Sequence, residues 1–182
     1  YHLARMIQAY LFNDIAQAYE QVKLAQSYQN SVVSLYHFGE FHFYAALIRT
    51  QYARQHISGQ QHNDENMLAI NTSLSLIEQW ALSAPENYQH KAKLIRAELQ
   101  FLSQDCAAWQ NYDQAIALAT QHSANHHAAL ANELAGNYWL AANKKSLARD
   151  YYQQACRHGR APCSWKLFWH FGKCPAPSLP RH

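Results

Sequence analysis

Glycine and proline are scarce in this chain, at five each in 182 residues, and three of the prolines sit at positions 175, 177 and 180. A β-sandwich or α/β fold of this length needs more turn punctuation than that. Valine is nearly absent, while Ala, Gln, Leu and Tyr are abundant, a balance that favours helices over strands. No apolar run approaches the roughly eighteen residues that span a bilayer. The four cysteines, Cys106, Cys156, Cys163 and Cys174, are too few and too unevenly placed for a secreted disulfide framework. A reducing cytoplasm is the expected compartment. A dominant charge is lacking too: fifteen Lys and Arg against twelve Asp and Glu leave a formal +3. The densest basic groups, Lys91/Lys93/Arg96 and Lys144/Lys145/Arg149, form no continuous stripe for counterion release, so nucleic acid is not an expected partner. Both groups read as solvated helix faces.

What is present is helical periodicity along nearly the whole chain. It predicts helices over 3–12, 15–28, 32–56, 65–84, 88–103, 107–122, 126–142 and 144–160. Asn13-Asp14 is a turn and N-cap before the second of these. In the third, Leu35, Phe38, Phe41, His42, Ala45 and Ile48/Arg49 mark the apolar stripe, and Gly39 interrupts it at a cost of about 1 kcal/mol. Residues 58–64 read as a loop, and Leu68, Leu76, Ile77 and Trp80 as the buried face of the helix that follows. Pro85 restarts the chain at a first helical turn. Connections are short, so successive helices pack as antiparallel neighbours.

The chain also repeats itself. Ala108-x3-Tyr112-x2-Ala115 recurs as Ala148-x3-Tyr152-x2-Ala155, and more weakly as Ala18-x3-Val22-x2-Ala25. Small residues let helices approach closely while the large one wedges into its neighbour. Ala97-Glu98-Leu99 and the segment from Ala135 to Trp139 are the expected other side of that contact. The repeat is clear over 88–160, whereas 30–84 reads as a longer hairpin stacked on it. A helix pair of this kind cannot bury its own apolar face, so stacking follows. The expected architecture is all-α: a right-handed superhelical stack of antiparallel helix pairs, tetratricopeptide-like, over 1–160. A capping helix and proline-rich tail are expected over 161–182.

The stretches FGEFHFYAALIRTQYA, ENYQHKAKLIRAELQFL, WQNYDQAIALATQHS and HHAALANELAGNYWLAANKKSLARDYYQQA resemble the helical-repeat region of large multidomain bacterial signalling ATPases. In that family kinase-like and AAA-type ATPase domains often precede this region, and GAF and histidine-kinase domains often follow it. The resemblance covers roughly residues 5 to 160. Its most specific part is the block from Ala128 to Ala135 followed by Tyr138, Leu140 and Ala141. It implies a tetratricopeptide-like connector in a sensor or regulator, with the phosphate-binding loop and other catalytic motifs in other domains. The chain departs from the family after Arg160, in the aromatic segment of Trp165, Phe168, Trp169 and Phe171. It opens without an initiator Met and already inside a helical pattern, and so reads as a piece of a longer protein.

Chemistry-bearing residues are dispersed. Cys156, His158, Cys163, His170 and Cys174 match no zinc-ribbon or finger spacing. His122, His126 and His127 straddle a helix junction and read as solvated helix ends, while His42 reads as a core histidine rather than an exposed phosphoacceptor. No Gly-rich phosphate loop, nucleophile elbow or paired-carboxylate arrangement is present. The chain is therefore expected to be non-enzymatic, with neither cofactor nor metal. Glu98, Asn132 and Glu133 either face a concave groove or brace neighbouring repeats. The expected partner is a peptide or protein, or a neighbouring domain of the same chain, met through Tyr88, Lys91, Asn132 and Tyr138. A ligand-free connector between catalytic domains is the alternative.

Overall fold

The computed structural model describes residues 1–27, 35–56 and 60–158. The expected capping helix and tail over 161–182 lie outside the described residues. Within them are eight α-helices and no strand: α1 (His2–Leu11), α2 (Ile15–Ser27), α3 (Leu35–Gln55), α4 (Gln60–Ser83), α5 (Pro85–Leu102), α6 (Ala108–Gln121), α7 (Asn125–Ala141) and α8 (Lys145–Arg157). Each packs on the next in sequence, and α1, α3, α5 and α7 also touch one another in series. The odd-numbered helices thus form an inner layer, with the even-numbered ones laid against it.

Four turns share one geometry. Asn13, Gln104, Ser123 and Asn143 have φ of 63°, 59°, 57° and 58°. The amide after each donates to the carbonyl five residues earlier, as Asp14 to Ala9 (2.9 Å), and Asp105 to Gln100, Ala124 to Ala119 and Lys144 to Trp139 (2.8 Å each). These are left-handed helix stops that satisfy orphan carbonyls, and they reverse the chain in three residues, or in five between α5 and α6. Asn suits that conformation, whereas Gln104 and Ser123 adopt it at about 1 kcal/mol each. The Asp14 carboxylate accepts the Gln17 amide at 3.1 Å, capping α2 as its sequence predicts.

The small–large–small motif faces inward in both clear copies. Ala108, Tyr112, Ala115, Ala148, Tyr152 and Ala155 are all buried. The Tyr112 hydroxyl donates to Glu98 at 2.5 Å and the Tyr152 hydroxyl to Asn137 at 2.7 Å, so each tyrosine reaches the preceding helix at the predicted segment. Beside those acceptors stand the smallest residues, Ala97 and Gly136. A Cβ on Gly136 would lie 2.7 Å from a Tyr152 ring carbon, so the ring occupies the space a side chain would take. Gly39 plays the same part in α3, where a Cβ would meet the Tyr88 ring at 2.8 Å. Its helix continues unbroken to Gln55, because the ring packing offsets the propensity cost.

Two local expectations are corrected. The helix expected from residue 65 begins at Gln60, so residues 60–64 of the expected loop are helical, and 58–59 lie outside the described residues. Leu68 is 71% exposed rather than buried. Ile77 is buried as expected, and it is joined in the inward stripe of α4 by Asn66, Ile70 and Ser73, whose polar members are satisfied by Tyr19 (3.0 Å) and His42 (3.0 Å). Leu76 and Trp80 are half-buried at its edges.

Replacing a mid-helix glycine by alanine normally gains about 1 kcal/mol. Gly136→Ala is expected instead to lose about 1–2 kcal/mol, because Tyr152 is fully buried and cannot yield. Urea unfolding measures this, and a raised midpoint would contradict the packing described.

Candidate functional site

The inner layer buries ionisable groups where three helices meet. Burial of the His90, Lys91, Leu94, Ile95, Ala97 and Glu98 stripe turns that face of α5 inward. Lys91 Nζ lies 2.5 Å from Glu40 Oε1 of α3, and both side chains are under 10% exposed at 7% and 9%. Beside them, one ring nitrogen of His90 (Nε2) is 2.8 Å from Nδ1 of His127 on α7. His127 Nε2 is 3.8 Å from Glu40 Oε2, too long for a hydrogen bond but close for a charge. The Phe43 ring of α3 meets the His127 ring edge-on at 5.1 Å. Helices α3 and α7 therefore meet directly over α5.

Two expectations fail here. Lys91 is not part of a solvated face, and His127 is not a solvated helix end, because Glu40 draws the lysine inward and the turn at Ser123 aims the first turn of α7 at α3. Lys93 is half-buried, and Arg96, Lys144, Lys145, Arg149, His122 and His126 are exposed. Glu40 and His90 escaped the reading of the sequence. Their signal was phase: His90 shares the stripe of Leu94 and Glu98, and Glu40 lies within the aromatic run of α3.

Burial by itself raises the Glu40 carboxyl, but His127 and Lys91 outweigh it and hold the group at about 2. Burial pushes His90 down to about 3, with His127 and Lys91 adding to the effect. Burial also lowers His127, against the pull of Glu40. Both imidazoles are thus neutral beside one ion pair. His42 is buried as expected, its Nδ1 3.0 Å from Ser73 Oγ, and burial with the Arg49 charge lowers it to about 4. It is no exposed phosphoacceptor.

A second buried carboxylate, Glu98, accepts from Arg54 and from the Tyr112 hydroxyl. The Arg54 guanidinium also covers the Phe101 ring at 4.1 Å. Glu98 therefore braces α3, α5 and α6, the second of the two roles left open for it.

Of the four residues expected to meet a partner, the structure brings two together. The half-buried Tyr88 ring lies over Gly39, with Lys91 Nζ 5.3 Å from its centre. Asn132 is buried and donates to the Ala128 carbonyl of its own helix at 2.8 Å. The Tyr138 hydroxyl donates to the Cys106 carbonyl at 3.0 Å, tying α7 to the α5–α6 connection. Glu133 is buried on α7. Among the described residues, no three His, Cys, Asp or Glu side chains are placed to hold a metal ion, and no helix is long and apolar enough to cross a membrane. Cys163, His170 and Cys174 lie outside the described residues.

Glu40→Ala strands a buried ammonium and is expected to cost about 3–5 kcal/mol, whereas Glu40→Leu with Lys91→Met is expected to cost less than either single change. A double variant weaker than both singles in denaturant unfolding would contradict this. Stability also depends on pH with a definite sign. The unfolded chain protonates His42 near its ordinary 6.5, while the folded chain refuses that proton down to about 4. The unfolded state then binds more protons, so stability falls as pH drops through that window. Glu40 acts lower, its contribution complete above 4.5 and lost between 4.5 and about 2. Unfolding midpoints measured from near neutrality to about pH 5 should fall more gently in His42→Gln than in the parent; equal slopes would rule out the histidine.

Comparison with protein-family models, with curated proteins and with solved structures gives no match for this chain.

Proposed function

We propose that this chain is a non-catalytic protein–protein interaction scaffold of the tetratricopeptide-like type, part of a bacterial signal-transduction ATPase or kinase. The observation that carries the reading is the repeated unit. The pairs α5–α6 and α7–α8 use the same inward Ala-Tyr-Ala motif, the same tyrosine-to-preceding-helix hydrogen bond and the same left-handed turn. Stacked units of this kind form extended, slightly rotated surfaces whose use is recognition. In this reading the stack continues as a right-handed superhelix, and Tyr88 supplies the aromatic contact of its inner edge. The signalling context rests on the resemblance of residues 5 to 160 alone.

A second reading, a ligand-free connector between catalytic domains, is favoured by a specific feature. Lys91, Asn132 and Tyr138 spend their polar atoms inside the protein, which leaves less for a partner.

Titration calorimetry of the purified chain against the flanking domains of its parent protein, and against peptides from its signalling partners, separates the two. The scaffold reading expects saturable peptide binding weakened at least about fivefold by Tyr88→Ala, on the scale of one truncated aromatic contact. Binding to the flanking domains alone supports the connector. ATP turnover by the chain itself would overturn both.

A further inference from the structure

We propose that His90 and His127 form an acid-operated latch, closed while their imidazoles share one proton and opened when both are protonated, releasing α7 from α3 and α5. This inference is independent of what the module binds.

The geometry assigns the protons. The two ring nitrogens lie 2.8 Å apart in a buried contact, which requires one N–H and one lone pair. The Glu40 carboxylate, 3.8 Å from His127 Nε2, can only attract a proton. His127 therefore carries its hydrogen on Nε2, and its Nδ1 accepts from the Nε2–H of His90. One basic nitrogen is left over, His90 Nδ1, buried and without a hydrogen-bond partner.

That nitrogen is where the next proton goes, and the site is poorly equipped to receive it. The charged and titratable groups facing His90 are Glu40 from α3, Lys91 from α5, and His126 and His127 from α7. The same Glu40 and Lys91, with His126, face His127. The carboxylate already pairs with the lysine, so an imidazolium adds an uncompensated buried cation. A second proton has only His127 Nδ1 to occupy, which would set N–H against N–H at 2.8 Å. That contact cannot persist. Its loss also frees the Phe43–His127 edge contact between α3 and α7.

Opening thus takes up protons that the closed junction refuses. Below about pH 6.5 each imidazole shifts the equilibrium toward the open form by up to about tenfold per pH unit. At pH 5 the pair together gives up to about a thousandfold.

Two measurements on the intact chain decide the matter. In hydrogen exchange corrected for intrinsic rates, the α7 amides of residues 127–136 are expected to open at least about a hundredfold more often near pH 5 than near pH 7.5. The α1–α2 amides are expected to change far less. His90→Gln with His127→Gln keeps hydrogen-bonding capacity without titration, and should remove most of that difference. Unchanged α7 protection, or an equal loss in the double variant, overturns the latch. The second measurement needs no variant: imidazole nitrogen shifts of the parent chain should show His90 and His127 gaining protons in the same step in which α7 exchanges. A His90 that protonates near pH 6.5 with α7 still protected overturns it equally.

Discussion

A buried ammonium and a buried carboxylate can stay out of water only if each has the other and little else is left wanting. Glu40 and Lys91 meet that condition across 51 residues of sequence, and much of the surrounding architecture follows from it. The pair holds α3 against α5 at the centre of the inner layer. His90 and His127 fill the space beside it as neutral rings, bringing α7 over the same point. Glu98 repeats the solution farther along α5, where Arg54 and Tyr112 converge on one carboxylate. The inner layer is therefore cross-braced by polar groups, and the close approach that places them depends on small residues opposite tyrosine rings.

This arrangement gives the fold an uneven character. Burying a charge pair adds little net stability compared with an apolar filling of the same shape, but losing one partner is costly. The junction works as a specifier of which helices meet, more than as a source of stability. Tyr112 and Tyr152, both fully buried, the second against Gly136, carry packing of the ordinary kind. One class of contact sets register across the inner layer, and the other holds each pair together.

Much of this was legible in the residues. Helix starts and stops followed from Asp14, Pro85 and the short polar turns, and the Ala-x3-Tyr-x2-Ala motif pointed to the contacts that Tyr112 and Tyr152 make. The failures have a common physical origin. Hydropathy places Leu68 inward, yet α4 turns Asn66 and Ser73 to the core because Tyr19 and His42 satisfy them there. Residue type places Lys91 outward, yet a carboxylate on another helix holds it inside. The junction at residues 122–127 marks His127 as a solvated helix end, yet a left-handed residue four positions earlier swings that end inward. A polar residue's side of a helix is decided by a partner distant in sequence, and periodicity does not carry that information.

The meeting of α3 and α7 over α5 is the centre of the account, and ring-proton Overhauser contacts test it most directly. With the Phe43 and His127 ring centres 5.1 Å apart, labelled protein near neutral pH should give cross-peaks between the two rings. Their absence, together with a His127 that titrates as a free imidazole near 6.5, would mean that the inner layer is open there and that the buried junction does not form.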